Sequence, residues 1–196
     1  MTVMQHRRQI SHTRILDAAA EALHRSGYAG VGVASVMKEA GLTHGGFYAH
    51  FASREAMLAA AFEHAWARSE EAMRTKIQTR VAQGQRPLRA LVEEYLSSQH
   101  AATLDGGCPV AALAGEMPRQ DPALRDVSAQ CMRKLVALVG DNLPADSPNG
   151  AAFCVASMLI GALQTARALD GDERQEVLRA CRDSVLTQYD QAGRSA

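Results

Sequence analysis

The sequence predicts an all-α protein, with an N-terminal three-helix domain built around a helix-turn-helix and a larger helical C-terminal domain. Three observations predict it. Apolar residues recur three and four positions apart along almost the whole 196-residue chain, the period of a helix face, and strand-like alternation is nowhere sustained. Proline and glycine punctuate the periodic segments. The stretch EAGLTHGGFYAHF at 39–51 packs three glycines, two histidines and three aromatic residues between two helical segments. Glycine costs roughly 0.5–1 kcal/mol relative to alanine inside a helix, so this stretch serves a turn, a close approach or a ligand surface rather than local stability.

The elements follow in order. A first helix fits 11–26, with Ile15, Ala18, Ala19, Ala22 and Leu23 on one face and Gly27 placed to end it. A short second helix, 33–40, turns Val33, Val36, Met37 and Ala40 inward, and Gly41 supplies a turn that rejects a Cβ. Thr43 offers a hydroxyl cap to a third short helix, 44–50, whose buried side is Phe47 and Phe51. Ser53 caps a long fourth helix with Met57, Leu58, Ala61, Phe62, Ala65, Trp66 and Met73 inward, reaching toward Ile77 and Val81 before Gly84 breaks it.

Beyond it, Pro87 opens a helix carrying Leu88, Leu91, Val92, Tyr95 and Leu96. A short helix is expected at 110–116, and longer ones at 122–139, 149–169 and 172–189. The domain division falls at 1–52 and 53–196.

Composition excludes several classes. At 47% hydrophobic and 21% charged, the chain is neither disordered nor fibrous. No run of roughly 18 uninterrupted apolar residues is present, and MTVMQHRRQISHTR lacks the apolar core of a secretory signal, so the expected location is the cytoplasm with no membrane partner. Cys108, Cys131, Cys154 and Cys181 form no CxxC pair, which argues against a zinc site and a disulfide framework; no metal and no cofactor are expected. The formal net charge is zero, but residues 1–54 carry Arg7, Arg8, Arg14, Arg25, Lys38 and Arg54 against Asp17, Glu21 and Glu39, with five histidines besides. A polyanion partner and a solvated basic arm both fit that asymmetry.

A helix that enters the major groove, about 12 Å wide, must carry short or polar side chains on its first turn. Gly45 and Gly46 meet that need, Thr43 and His44 can hydrogen-bond bases or phosphates, and Tyr48 and His50 leave the flanks as further donors. A wet helix edge on a helix-turn-helix that never meets DNA is the alternative reading of the same residues.

VASVMKEAGLTHGGFYAHFASREAML, residues 33–58, resembles the DNA-binding signature of the TetR/AcrR family of bacterial transcriptional repressors. The shared order is a short helix, AG[VL][ST], a glycine-bearing recognition helix ending in YxHF, and an [SK]-[KR]-[ED] entry to the next helix. The resemblance implies that Thr43, His44, Tyr48, His50 and Arg54 occupy positions that touch operator bases or phosphates. Many relatives place Thr or Ser before the second helix, where this chain has Gly32, which leaves only a backbone amide for a phosphate there. It also implies a ligand-responsive regulator, a repressor by type, that binds a double-stranded, pseudo-palindromic operator as a homodimer through its last two helices. A small-molecule effector or a thiol-reactive signal would release it.

The residues support the second half in part. NGAAFCVASMLIGALQTARAL is apolar nearly all round, with Ala152, Ala156, Ser157, Gly161 and Ala162 allowing close helix approach, and the last helix offers Val177, Leu178, Cys181, Val185 and Leu186. A partner subunit and an intrachain core both account for that pattern. Trp66, Tyr95, His100, Met117, Met132 and Phe153 are candidate ligand-lining residues, though the same spacing describes plain core. Cys108, ahead of a short helix in DGGCPVAALAGE, is the candidate reactive thiol against the reading of a buried, inert one. An enzyme would need a convergent constellation, for which Cys108, His100 and Glu116 are the local residues; no catalytic role is expected, and an interaction module without DNA binding is the other alternative.

Overall fold

The computed structural model describes residues 3–103 and 107–190, and among these there are nine α-helices, two short 3-10 segments and no strand. In chain order they are α1 (Val3–Gly30), α2 (Val33–Glu39), a 3-10 recognition segment (His44–Ala49), α3 (Arg54–Ala82), α4 (Pro87–Tyr95), α5 (Ser98–Ala102), α6 (Pro109–Leu113), a 3-10 turn (Met117–Arg119), α7 (Pro122–Gly140), α8 (Ala151–Ala168) and α9 (Gly171–Tyr189). They gather into two compact units. One runs to Arg68 and takes in the segment that ends at Cys131; the other joins Ser69–Thr103 to the chain from Met132 onward.

In the first unit the expected core is realised: Ile15, Ala19, Leu23, Val36, Met37, Phe47, Met57, Leu58, Ala61, Phe62 and Trp66 are all buried. One feature of α1 differs from expectation. It begins at Val3 rather than near residue 11, because its first turns are polar or exposed and so carry no apolar period to read. Gly27 interrupts it where expected, at φ 64 and ψ −179, a backbone region that is essentially glycine's own, and a last short turn follows across the kink. Gly41, at φ 67, makes the expected turn after α2, and a Cβ there would also meet an Arg14 guanidinium nitrogen at 2.5 Å. Arg25 ties α1 to α2 through Glu39 at 3.1 Å.

In the second unit α8 packs along α9, and α4 packs against α9. Asp190, at the end of α9, is buried and receives Arg86 at 2.8 Å and Arg89 at 3.0 Å. Glu94 receives Lys76 at 2.6 Å and Arg80 at 3.2 Å. Val81, expected at the inward end of its stripe, is exposed. Helix α8 is long and apolar enough by composition to cross a membrane, although polar residues interrupt its run, and 39% of it is buried.

Candidate nucleic-acid interface

The recognition segment is held from behind and bare in front. Phe47 is buried and meets Phe51 with ring centroids 5.9 Å apart, while His12 of α1 stacks on Phe51 at 4.7 Å. These contacts fix the segment on α1 by its apolar side. Thr43, His44, Gly45 and Tyr48 are exposed, Tyr48 at 73%, and Gly46 and His50 are half-exposed. The segment and its two flanking residues therefore carry all the DNA-contact candidates read from the sequence except Arg54, which lies on α3.

Two local details depart from expectation. Residues 44–49 form a 3-10 rather than an α-helix, a segment in which two adjacent glycines lower the α-helical preference. Thr43 stands at the cap position with extended backbone, but its hydroxyl caps nothing. The N–H of Gly46 that the hydroxyl would take is already bonded to the Thr43 carbonyl at 3.0 Å. Ser53, by contrast, caps α3 as expected, accepting the Ala56 N–H at 3.1 Å.

Neither glycine of the segment is there for the chain's own sake. Both have ordinary negative φ. A Cβ on Gly45 would meet nothing within 4 Å, and one on Gly46 would make only ordinary contacts at 3.8 Å to Met37 and Thr43. Gly32, at the cap of α2, is equally open and offers no side-chain cap.

Arg54 turns inward. Its Nε donates to the Val31 carbonyl at 2.9 Å and a terminal nitrogen donates to the Tyr28 carbonyl, so the guanidinium clips the start of α3 to the end of α1. It positions the recognition segment, and a phosphate contact would require it to share or leave those carbonyls. Tyr28, unnoticed in the sequence, is the buried centre of this clip: its N–H goes to Glu116 at 3.0 Å and its hydroxyl lies 3.3 Å from Ser128 Oγ. Burial pushes the Tyr28 phenol up to about 12, so it stays protonated.

Two family models match the chain: bacterial regulatory proteins, tetR family, over residues 15–61, and the tetracyclin repressor-like C-terminal domain over residues 84–182. The chain belongs to the TetR family of bacterial regulators. Solved structures of this fold include Escherichia coli NemR in its reduced form, 20% identical over 91% of this chain and 97% of that one, with a TM-score of 0.73. A TetR-family transcriptional regulator from Cytophaga hutchinsonii is 21% identical over 90% and 93%, TM-score 0.71. The regulatory protein TetR from Rhodobacter sphaeroides is 19% identical over 92% and 99%, TM-score 0.72. No curated protein sequence matches.

The remaining candidates of this TetR-family chain are distributed between its two units. Trp66 and Met117 are buried in the first. In the second, Tyr95 and His100 are buried with their rings edge to face at 4.9 Å, Met132 is half-buried, and Phe153 is 65% exposed. Tyr95, His100, Trp66 and Met117 are thus enclosed side chains, a position that suits plain core and a ligand cavity alike. Cys108 sits at the cap of α6 as expected, but it is 1% exposed and caps nothing. The local constellation weighed for an enzyme has other work: His100 Nδ1–H donates to the Tyr95 carbonyl at 2.8 Å, and the Glu116 carboxylate takes Tyr28 N–H.

Arg8 and His12 were read from the sequence only as part of the basic head. Gln5, Arg8, Gln9 and His12 fall three and four apart, one polar stripe on a helix face, but all except His12 lie upstream of the expected helix start at 11.

Proposed function

We propose that this TetR-family chain is a dimeric, ligand-responsive DNA-binding regulator, a repressor by type, acting in the cytoplasm on a pseudo-palindromic operator. Gly45 carries the DNA-binding reading. It is exposed, has no strained φ, and has empty space where a Cβ would stand, so its helix cost is unrepaid within the chain and fits a surface that something must approach closely. A groove floor and its phosphates are such a body. Residues 1–52 are assigned to DNA and 53–196 to effector binding and dimerisation.

The dimer reading rests on α8, whose apolar surface leaves Phe153 exposed in the isolated protomer. Pairing of α8 and α9 with a second copy would cover it. A route for the signal is supported by the chain's packing. The Pro109–Leu113 segment lies within the C-terminal family region, yet it packs in one unit with the helix-turn-helix and meets α1. An effector that favours one arrangement of this segment would bias the recognition segment as well. The effector is a non-covalent small molecule or, at Cys108, a thiol-reactive one.

Titration against mixed genomic DNA fragments at two salt concentrations tests the reading, followed by selection of bound sequences from random DNA. Tight, salt-sensitive binding that converges on a two-fold symmetric site is expected. Binding that is absent at low salt, or that selects no sequence, would overturn it in favour of a helical interaction module.

A further inference from the structure

We propose that the cleft between the first turns of α1 and the end of the recognition segment seats a DNA backbone phosphate, which makes Arg8 and His12 DNA-contacting residues. This rests on the DNA-binding reading above. The cleft is about 330 Å³ and is lined by Gln5, Arg8, Gln9, His12 and His50. All five side chains carry N–H donors or can take a proton, and no carboxylate lines the space, which is the chemistry of an anion site.

The cleft is built rather than incidental. One Arg8 guanidinium nitrogen donates to the Ala49 carbonyl at 2.6 Å, which pins the planar fork against the last residue of the recognition segment. The His12 ring is held by its stack on Phe51 and lies 5.8 Å from the His50 ring. His50 Nδ1 is buried and has no hydrogen-bond partner among the described residues. A buried polar atom without a partner costs stability, so the ring gains by turning toward an acceptor in the cleft that it lines. The neighbouring exposed face of Tyr48 and His44 puts the duplex as the source of that phosphate.

A phosphate here would also be linked to a proton. His12 is held below its ordinary value by burial, by His50, by Arg8 and by His64; His64 in turn donates to Asp17 at 2.8 Å, which also takes Arg68 at 2.6 Å. The unliganded ring is thus neutral near pH 7. An anion beside it favours the protonated ring, so binding takes up a proton and affinity rises as pH falls from the neutral range toward the lowered value of the free ring.

The test uses the full-length protein and a duplex recovered by selection from random DNA, with Tyr48→Phe as the reference variant. Arg8→Ala should weaken binding about five- to tenfold on every duplex and lower the slope of log affinity against log salt by about one, with sequence preference unchanged. Arg8→Lys should keep the slope and lose part of the affinity. His12→Phe, which retains the stack on Phe51, should flatten the pH dependence. Thermal midpoints near wild type establish that the variants are folded. If Tyr48→Phe weakens binding while Arg8→Ala and His12→Phe match wild type at every salt and pH, the phosphate seat is overturned and the DNA-binding reading survives. Inorganic phosphate that binds the cleft in an Arg8-dependent way without any change in DNA slope would assign it to a free anion, which also overturns it. A wild-type chain that binds no duplex at all removes both readings together.

Discussion

The carboxylate of Glu116 accepts the backbone N–H of Tyr28 at 3.0 Å, at the one point where α1 leaves helical geometry. The kink at Gly27 deprives Tyr28 N–H of an ordinary helical partner, and a residue far along the chain supplies one. The fit is close: a Cβ on Gly27 would stand 2.4 Å from Glu116 Oε1. Tyr28 is held on its carbonyl side by Arg54 and at its hydroxyl by Ser128, so the point where the end of α1 meets the start of α3 is anchored to α7 and to the turn before it.

Gly27→Ala should therefore destabilise the protein by about 1–3 kcal/mol, the range for forcing a Cβ into a glycine-only backbone region. Glu116→Ala should cost about 1–3 kcal/mol by orphaning a part-buried N–H, and Glu116→Gln less, because an acceptor remains. Since the added Cβ displaces the same carboxylate, the double variant should cost less than the sum. Denaturant midpoints of the four proteins decide it, and strict additivity would show that the two residues do not share one interaction.

On the recognition segment, Gly45→Ala should leave the fold intact or raise its stability by up to about 1 kcal/mol, while operator affinity falls. A variant that gains stability and keeps full affinity would remove the case for close approach at Gly45. Tyr48→Phe and His50→Ala should weaken binding by roughly 1 kcal/mol each, evenly across operator variants, whereas His44→Ala should change base preference if it reads a base edge. Selection profiles for each variant separate the two roles.

What the sequence made legible follows from periodicity and local chemistry. The core stripes of α3 and α4, the Gly41 turn and the Ser53 cap depend on residues a few positions apart, and all were readable. Glu116 and Tyr28 are 88 positions apart and pair through a backbone N–H, which leaves no side-chain pattern to read. The start of α1 was lost for another reason: its first turns bury almost nothing, so the apolar period that marks a helix is missing there. The Thr43 cap was expected from residue type alone, and the 3-10 ladder took its donor instead. Size and polarity are all that the sequence offers for the candidate ligand residues, and core side chains share both.

His100 makes stability depend on pH with a definite sign. Burial holds it below its ordinary value, with Arg167 and Lys76 acting the same way against the Tyr95 carbonyl and Glu94. The unfolded chain then takes up the proton first as pH falls. The stabilisation is complete above about pH 6.5 and is lost as pH falls through the lower folded value. His12 is shifted in the same direction, so the measurement is the difference between wild type and His100→Phe. The wild-type thermal midpoint should drop more steeply than the variant's below about pH 6.5; parallel curves would show that His100 titrates alike in both states.

The four thiols differ in access, and that difference tests the thiol signal. Cys154 is exposed, Cys181 is half-buried with its thiol pushed up by burial, and Cys108 and Cys131 are buried. An electrophile should label Cys154 first in a monomer, while Cys108 reacts only as fast as its segment opens. If Cys108 is the sensor, treatment should lower operator affinity in wild type and in Cys131→Ser, Cys154→Ser and Cys181→Ser, and leave Cys108→Ser unaffected. Equal loss in Cys108→Ser would make the signal non-covalent or place it elsewhere.

Dimerisation is testable at Gly161, on α8. It is half-exposed, and a Cβ there would meet nothing within 4 Å, so Gly161→Glu adds a charge that the protomer itself can accommodate in water. In a seam between two copies of α8 the same carboxylate would be buried without a partner, at a cost of several kcal/mol, enough to dissociate a dimer. The variant should remain helical with a near-normal thermal midpoint for a protomer, sediment as a monomer, and lose operator binding, because one half-site supplies only half of the contacts. Cys154 and Phe153, exposed on α8, report the same event: Cys154 should be protected from labelling in concentrated wild type and reactive in Gly161→Glu at the same concentration. A Gly161→Glu protein that is monomeric and binds the operator as tightly as wild type would sever dimerisation from DNA binding. One that stays dimeric would move the seam away from α8.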